Sequence, residues 1–314
     1  MSTAEDIDQA LDRAVRAARQ LGKGAPASYI PELANADLET TGAAVVRCDG
    51  STHRAGDADR PPFTIQSTGK LVLLAGLLEE RGEDDVFSRV GKEPSGSGFR
   101  SIEELETQGP LPSNPLINPG AILLCGQLRG AADDRRRWLA DWVERLYGRR
   151  LPINERVMAS ETRTGDRNRA IAYLLSDSGV LDSSVDETLA AYFALCSFEA
   201  SIATCAHLPA VLANGGVTPG GERVLSQRTA SVLVSLMATC GMYDESGTYL
   251  TATGLPAKSG VSGIILAVSV GCAGIAVGSP RINHKGGSVR GHAILEHLSK
   301  ELRWHFALSP ARSE

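Results

Sequence analysis

The sequence predicts an α/β chain of the α+β kind, in which one antiparallel sheet is assembled from both ends and a helical subdomain is nested between them. Three observations predict it. Short apolar runs bounded by turn residues lie at Ala43–Val46 and again across Ile264–Val277. The long interval between them repeats its apolar residues at helical spacing. The chain of 314 residues, 42% hydrophobic and 22% charged, is large enough and apolar enough for one well-buried core. Strands at both ends with helices between them place the sheet subdomain at about 1–65 and about 241–314, and the helical subdomain at about 66–240. The whole of 1–314 reads as one unit.

Ile7, Leu11, Val15 and Ala18 give the opening segment, Met1–Arg19, the pattern of a surface helix. Ala43–Val46 is a first strand whose apolar run stops at Arg47. Asp49-Gly50-Ser51 then supplies a turn, and Thr52–Ala55 a second strand. Helices are predicted over Ser67–Arg81, Gly120–Leu128, Asp133–Tyr147, Asn168–Ser176, Val185–Cys196 and Ser226–Cys240, with a closing helix over Ser288–Leu302. Val261–Gly278 is free of charge and approaches the length of a membrane span. Its glycines and serines argue otherwise. A turn near Gly271 divides it into Ile264–Val270 and Gly274–Val277, a central hairpin of a buried sheet.

A formal net charge of −5 without a basic tract argues against a nucleic-acid partner. The six cysteines form no C-x-x-C pair and no His cluster has zinc spacing, so neither a metal nor any other cofactor is expected. The polar N-terminus lacks the apolar core of a signal peptide. A cytoplasmic chain with reduced thiols and no membrane partner is the expectation.

Ser67-Thr68-Gly69-Lys70 has the form S-x-x-K. Ser67, Leu71, Leu74 and Leu78 recur at i, i+4, i+7 and i+11, which puts Ser67 on a buried stripe with Lys70 one turn on. Burial disfavours the ammonium and makes a neutral amine available as a base. Lys258-Ser259-Gly260 stands just before the hairpin, as K-[ST]-G does on an active-site strand. The pair is the framework of the β-lactamase-like, penicillin-recognising serine enzymes. Their S-D-N element is missing, however, and Asn114-Pro115-Leu116-Ile117-Asn118-Pro119-Gly120-Ala121 stands in its place.

These residues resemble the glutaminase family that shares the β-lactamase-like fold, over nearly the whole chain from Tyr29 onward. Tyr29-Ile30-Pro31-Glu32-Leu33-Ala34 is similar to the family's Y-I-P-x-L-A. Phe63-Thr64-Ile65-Gln66-Ser67 with Lys70 resembles F-x-I-Q-S-x-x-K, and Asn114–Asn118 resembles N-P-[LM]-[IV]-N. Ser160-Glu161 followed by Gly165-Asp166-Arg167-Asn168 resembles S-E-x-x-x-G-D-R-N. Tyr192-Phe193 with Cys196-Ser197, Leu212–Gly216, Cys240-Gly241-Met242-Tyr243-Asp244 and Pro256–Val261 complete the set in order. Three positions depart. Thr68-Gly69 replaces the usual I-S, Ser262-Gly263 replaces G-G, and Gly286-Gly287-Ser288-Val289 replaces the commoner G-N-S-V. Glycine at 69 weakens a helix by about 1 kcal/mol relative to alanine.

The resemblance implies a bare catalytic module that hydrolyses L-glutamine to L-glutamate and ammonia. It assigns Ser67 as nucleophile, Lys70 as base, and the main-chain N–H groups of Ser67 and Val261 as the oxyanion site. Tyr243 and Tyr192 fall in the pocket, where a phenol near an ammonium could shuttle a proton. Glu161 suits the α-ammonium of the substrate, Asn118 and Asn168 its α-carboxylate, and Tyr29 closes the same end. Asp166 and Arg167 read as a structural ion pair beside them. The family's habit implies a homodimer or homotetramer. The alternatives are a β-lactamase-like or D-Ala-peptide hydrolase, and a catalytically silent glutamine-binding protein on the same scaffold.

Overall fold

The computed structural model describes residues 4–95, 102, 105 and 109–308. Met1–Thr3 of the expected first helix therefore lie outside the described residues. Helices α1 (Ala4–Arg19) and α2 (Pro31–Ala34) lead into strands β1 (Gly42–Arg47), β2 (Thr52–Gly56) and β3 (Phe63–Thr64). A 3₁₀ turn at Gln66–Thr68 opens α3 (Gly69–Arg81), followed by α4 (Glu83–Phe87), α5 (Asn118–Cys125), α6 (Ala132–Tyr147), α7 (Glu155–Thr164), α8 (Asp166–Asp177) and α9 (Val185–Ser197). Strand β4 (Glu199–Ala200) precedes α10 (Ile202–Cys205), α11 (His207–Ala213) and α12 (Gln227–Cys240). A second 3₁₀ turn at Tyr243–Glu245 runs into α13 (Ser246–Thr253), and β5 (Ala257–Ser259), β6 (Ile264–Ser269), β7 (Ala273–Gly278) and α14 (Val289–Glu301) finish the chain.

The main sheet has the order β2-β1-β7-β6-β5, antiparallel throughout. The uncharged run is thus the hairpin β6–β7, Ala267 facing Ile275, and β7 lies at the centre of the sheet. No helix of the described residues is long and apolar enough to cross a membrane. Alternation along the strands feeds two cores. Val45, Ile265 and Ile275 meet Ile7, Leu11 and Val15 of α1 and Ile294, Leu295 and Leu298 of α14. Val46, Leu266 and Val268 face the opposite way, into a cluster with Leu208 and Val211 of α11 and the helices beyond. Gly274 of β7 permits that second contact, because a Cβ there would lie 1.9 Å from the Ala210 nitrogen.

Helix ends follow their sequence signals. Ser184, Ser226 and Ser288 each accept a main-chain N–H with their hydroxyl and cap α9, α12 and α14. One expectation needs correction. The stripe through Ser67, Leu71, Leu74 and Leu78 does not distinguish an inner side of α3, since every residue from Gly69 to Leu78 is buried. The helix is the centre of the helical layer, enclosed on all sides, and Lys70 is buried for that reason.

Candidate active site

The short strand β3 pairs with β4 and ends at Thr64. Two residues on, Gln66 takes φ +47°, a left-handed conformation that costs a non-glycine residue about 1–3 kcal/mol. Buried hydrogen bonds hold it there. Its amide Nε2 donates to Glu161 Oε1 at 2.9 Å and to Thr64 Oγ1 at 3.3 Å. Ser67 follows in the 3₁₀ turn, at the positive end of α3, with Thr68 Oγ1 donating back to the Ile65 carbonyl at 2.6 Å.

Lys70 sits one turn later, 1% exposed. Its Nζ donates to Asn118 Oδ1 at 2.7 Å and to the Leu116 carbonyl at 3.2 Å, both neutral acceptors. Burial lowers its pKa from 10.5 to about 7, with Cys196, Cys125 and Glu161 pulling weakly the other way. Asn118 opens α5 and passes the network on: its Nδ2 donates to Asn168 Oδ1 at 2.9 Å. Asn168 belongs to the first turn of α8, and Glu161, also buried, to α7. Tyr192 of α9 is buried nearby, its ring centroid 6.0 Å from Lys70 Nζ.

The opposite wall comes from the C-terminal part of the chain. Tyr243 has φ +57° in its 3₁₀ turn, again left-handed, and is buried. Its hydroxyl donates to the Ser259 carbonyl at 3.4 Å, and the Ser67 side chain is near enough to draw its pKa down. Burial pushes the phenol above its usual range, and the neighbouring Ser67 and Ser259 pull it back in part. Beneath the ring, Lys258 Nζ lies 3.9 Å from the centroid and donates to the carbonyls of Ser259 at 2.8 Å and Gly241 at 3.0 Å. Burial above all, and then the neighbouring Lys70, hold the Lys258 ammonium well below the ordinary lysine range.

Val261 follows β5 in a turn rather than in the strand itself. The turn is pinned to the Ser67 segment: Ser262 Oγ donates to the Thr64 carbonyl at 2.7 Å, and a Cβ on Gly260 would lie 3.0 Å from the Ile65 carbonyl oxygen. The Val261 N–H has no hydrogen-bond partner among the described residues. Tyr29, 40% exposed, lines a cleft of about 820 Å³ together with Val261, Asn283 and His284. Its carbonyl accepts from Thr164 Oγ1 at 3.4 Å, which lays the Tyr29 segment against the end of α7.

Ser67, Lys70, Asn118, Asn168, Glu161, Tyr192 and Tyr243 thus form one buried assembly, with Val261 and Tyr29 toward the cleft. Asp166, expected in a structural ion pair, bonds Arg169, one helical turn on, at 2.8 Å. Residues i and i+3 share a helix face, which brings the two side chains together. Two residues of the assembly went unassigned from the sequence. Lys258 was visible only as part of K-S-G, and no side-chain role attached to it. Gln66 stood beside Ser67 in the same motif, but its left-handed backbone has no signal in its residue type.

A sheet whose edge strand carries Lys258-Ser259-Gly260 past the start of an enclosed S-x-x-K helix defines the β-lactamase-like class. The comparisons narrow that class. The glutaminase family model matches residues 24–306, and the chain belongs to this family. A glutaminase of Legionella pneumophila (strain Paris) is 52% identical over 301 residues, covering 96% of this chain and 97% of that protein. Among solved structures, the probable glutaminase ybaS superposes with a TM-score of 0.95 at 35% identity, covering 98% of this chain and 100% of the other. A probable glutaminase from Bacillus subtilis complexed with 6-diazo-5-oxo-L-norleucine gives 0.88 at 33% identity, with 98% of each chain covered.

Proposed function

We propose that this glutaminase works through a covalent acyl-enzyme on Ser67, hydrolysing the side-chain amide of L-glutamine to L-glutamate and ammonia in two steps. Lys70 takes the proton from the Ser67 hydroxyl, and the oxygen attacks the amide carbonyl carbon. The tetrahedral intermediate collapses, the C–N bond breaks, and ammonia leaves with a proton. Water then attacks the ester, and the γ-carboxylate of glutamate departs as Ser67 regains its proton. The observation that carries this reading is Lys70 itself: a buried amine one turn from Ser67, bonded among the described residues to two neutral acceptors, with a pKa brought to about 7.

The other roles have support of differing kinds. The unpartnered N–H of Val261, held against the Ser67 segment, suits an oxyanion donor beside the N–H of Ser67. Tyr243, whose phenol feels the nearby Ser67 side chain, suits the passing of a proton toward the leaving ammonia, with Tyr192 on the same wall. Glu161 provides the buried carboxylate for the α-ammonium, and Gln66 orients it. Asn118 and Asn168 offer amide groups for the α-carboxylate, Asn118 also orienting Lys70. Tyr29 closes the mouth.

The test is ammonia release from L-glutamine by wild type and Ser67→Ala, with nitrocefin as a parallel substrate. Loss of at least a thousandfold in kcat with unchanged melting is expected, roughly the scale on which a nucleophile acts. Activity within tenfold of wild type would end the serine mechanism, and nitrocefin turnover would move the chain toward the β-lactam hydrolases. The six free thiols support a reducing, cytoplasmic setting. The homodimer or homotetramer rests on the family resemblance, and light scattering of the purified chain reads it directly.

A further inference from the structure

The turn that carries Tyr243 is gripped from outside the reaction centre. Glu245 belongs to the same 3₁₀ turn, and its Oε1 accepts from Asn283 Nδ2 at 2.9 Å. Asp244, between them, pairs with Lys285: Nζ lies 3.1 Å from the Asp244 carboxylate and donates to the Asp244 carbonyl at 3.3 Å. Both grips come from one loop, and that loop is itself tightly built. Asn283 Oδ1 accepts the N–H groups of Lys285 at 2.9 Å and Gly287 at 3.1 Å, while Asn283 N–H donates to the Gly287 carbonyl at 2.8 Å. Asn283, His284 and Gly286 also wall the cleft beside Val261 and Tyr29.

Gly287 makes the approach possible. A Cβ there would lie 2.8 Å from His292 Nε2 and 3.0 Å from Glu245 Oε2. A side chain there would crowd both His292 and Glu245. A tyrosine at φ +57° is held in a conformation it does not favour, and Ser246 Oγ, which accepts from Met242 N–H and donates to the Tyr243 carbonyl, steadies only its main chain from within.

We infer that Glu245 and Asn283 are positioning residues for the reaction: their hydrogen bond clamps the strained Tyr243 turn to the cleft-wall loop and so fixes the phenol against Ser67. The inference rests on the proposed role of Tyr243 in proton transfer. It predicts a larger defect in kcat than in KM, because the hydrogen bond itself runs from the cleft wall to the turn.

Asn283→Asp isolates the clamp. The aspartate keeps the oxygen that caps the loop but replaces the donating amide nitrogen with an oxygen facing the Glu245 carboxylate. A fall in kcat of roughly tenfold with KM within about twofold is expected, the scale of a small misplacement of a reacting group. The double variant N283D/E245Q reverses the bond, glutamine donating to aspartate, and should recover most of that loss. Tyr243→Phe is measured beside them. If it is nearly inactive while Asn283→Asp keeps full kcat, the clamp is overturned and the Tyr243 role stands. If Tyr243→Phe is fully active, both fall. Loss in N283D that the swap leaves unrepaired, or a change in KM alone, also overturns the clamp, and melting curves of all variants show whether each is folded.

Discussion

Lys70 concentrates the chemistry at the scale of single residues. Its amine is enclosed by α3, α5 and α9, and burial brings the pKa to about 7. The sign follows directly. In the proposed mechanism the base must be neutral to accept the Ser67 proton, so kcat/KM should climb as pH rises through about 7. The same depression costs stability. Between about 7 and the ordinary value of 10.5 the unfolded chain holds a proton at this lysine that the folded chain lacks. Stability therefore rises with pH across that window, and the penalty is fullest below it. Lys70→Met should be inactive and yet melt higher than wild type, with a larger gain at pH 6 than at pH 9. Lys70→Arg should be inactive as well, since a guanidinium stays charged throughout. Melting curves at the two pH values decide it: a gain independent of pH would mean that Lys70 is not titrating in this window.

Among the elements, those with an internal period were legible and those made by long-range pairing were not. The hairpin β6–β7 could be read because a charge-free run broken by glycine has few other soluble solutions. The longer helices could be read from their apolar spacing. The pair β3–β4, by contrast, joins Phe63 and Thr64 to residues far along the chain, and nothing local in so short a segment announces it. The same limit hid Gln66 and Lys258, whose roles come from Glu161 and Tyr243 in remote elements. Sheet and helices meet where β7 passes α11, and the closeness depends on Gly274 lacking a side chain. A single methyl there would lie 1.9 Å from a main-chain nitrogen, which no rotamer change relieves. Gly274→Ala should lower stability by about 3 kcal/mol or more through forced separation of the layers. The denaturant midpoint measures it, and a midpoint equal to wild type would mean that α11 does not dock as described.

The two ends of the molecule are joined in a way that the site motifs do not touch. Arg290 of α14 is 1% exposed, and its guanidinium reaches groups from the first part of the chain. It donates to the carbonyls of Arg19 at 3.0 Å and Leu21 at 3.0 Å, just past α1, and to that of Leu38 at 3.1 Å. Thr41 Oγ1 accepts at 2.8 Å and Glu39 Oε2 at 3.0 Å, so one side chain ties the end of α1, the approach to β1 and the start of α14. The Glu39 carboxylate is exposed, and its ion pair with Arg290 is a small contribution by itself. The main-chain carbonyls matter more. Removing the guanidinium leaves several of them without a donor in a place water reaches poorly, and each orphaned acceptor costs about 1–3 kcal/mol. Arg290→Met keeps most of the side chain's bulk and deletes only its donors. It should lower unfolding stability by roughly 3 kcal/mol or more, while kcat at a temperature where the protein stays folded should change little, because none of these partners belongs to the Ser67 assembly. Chemical denaturation and an ammonia-release assay on the same preparation separate the two effects. Stability within about 1 kcal/mol of wild type would show that the carbonyls find other donors, and a kcat loss in the folded variant would show that the junction of the two ends reaches the site.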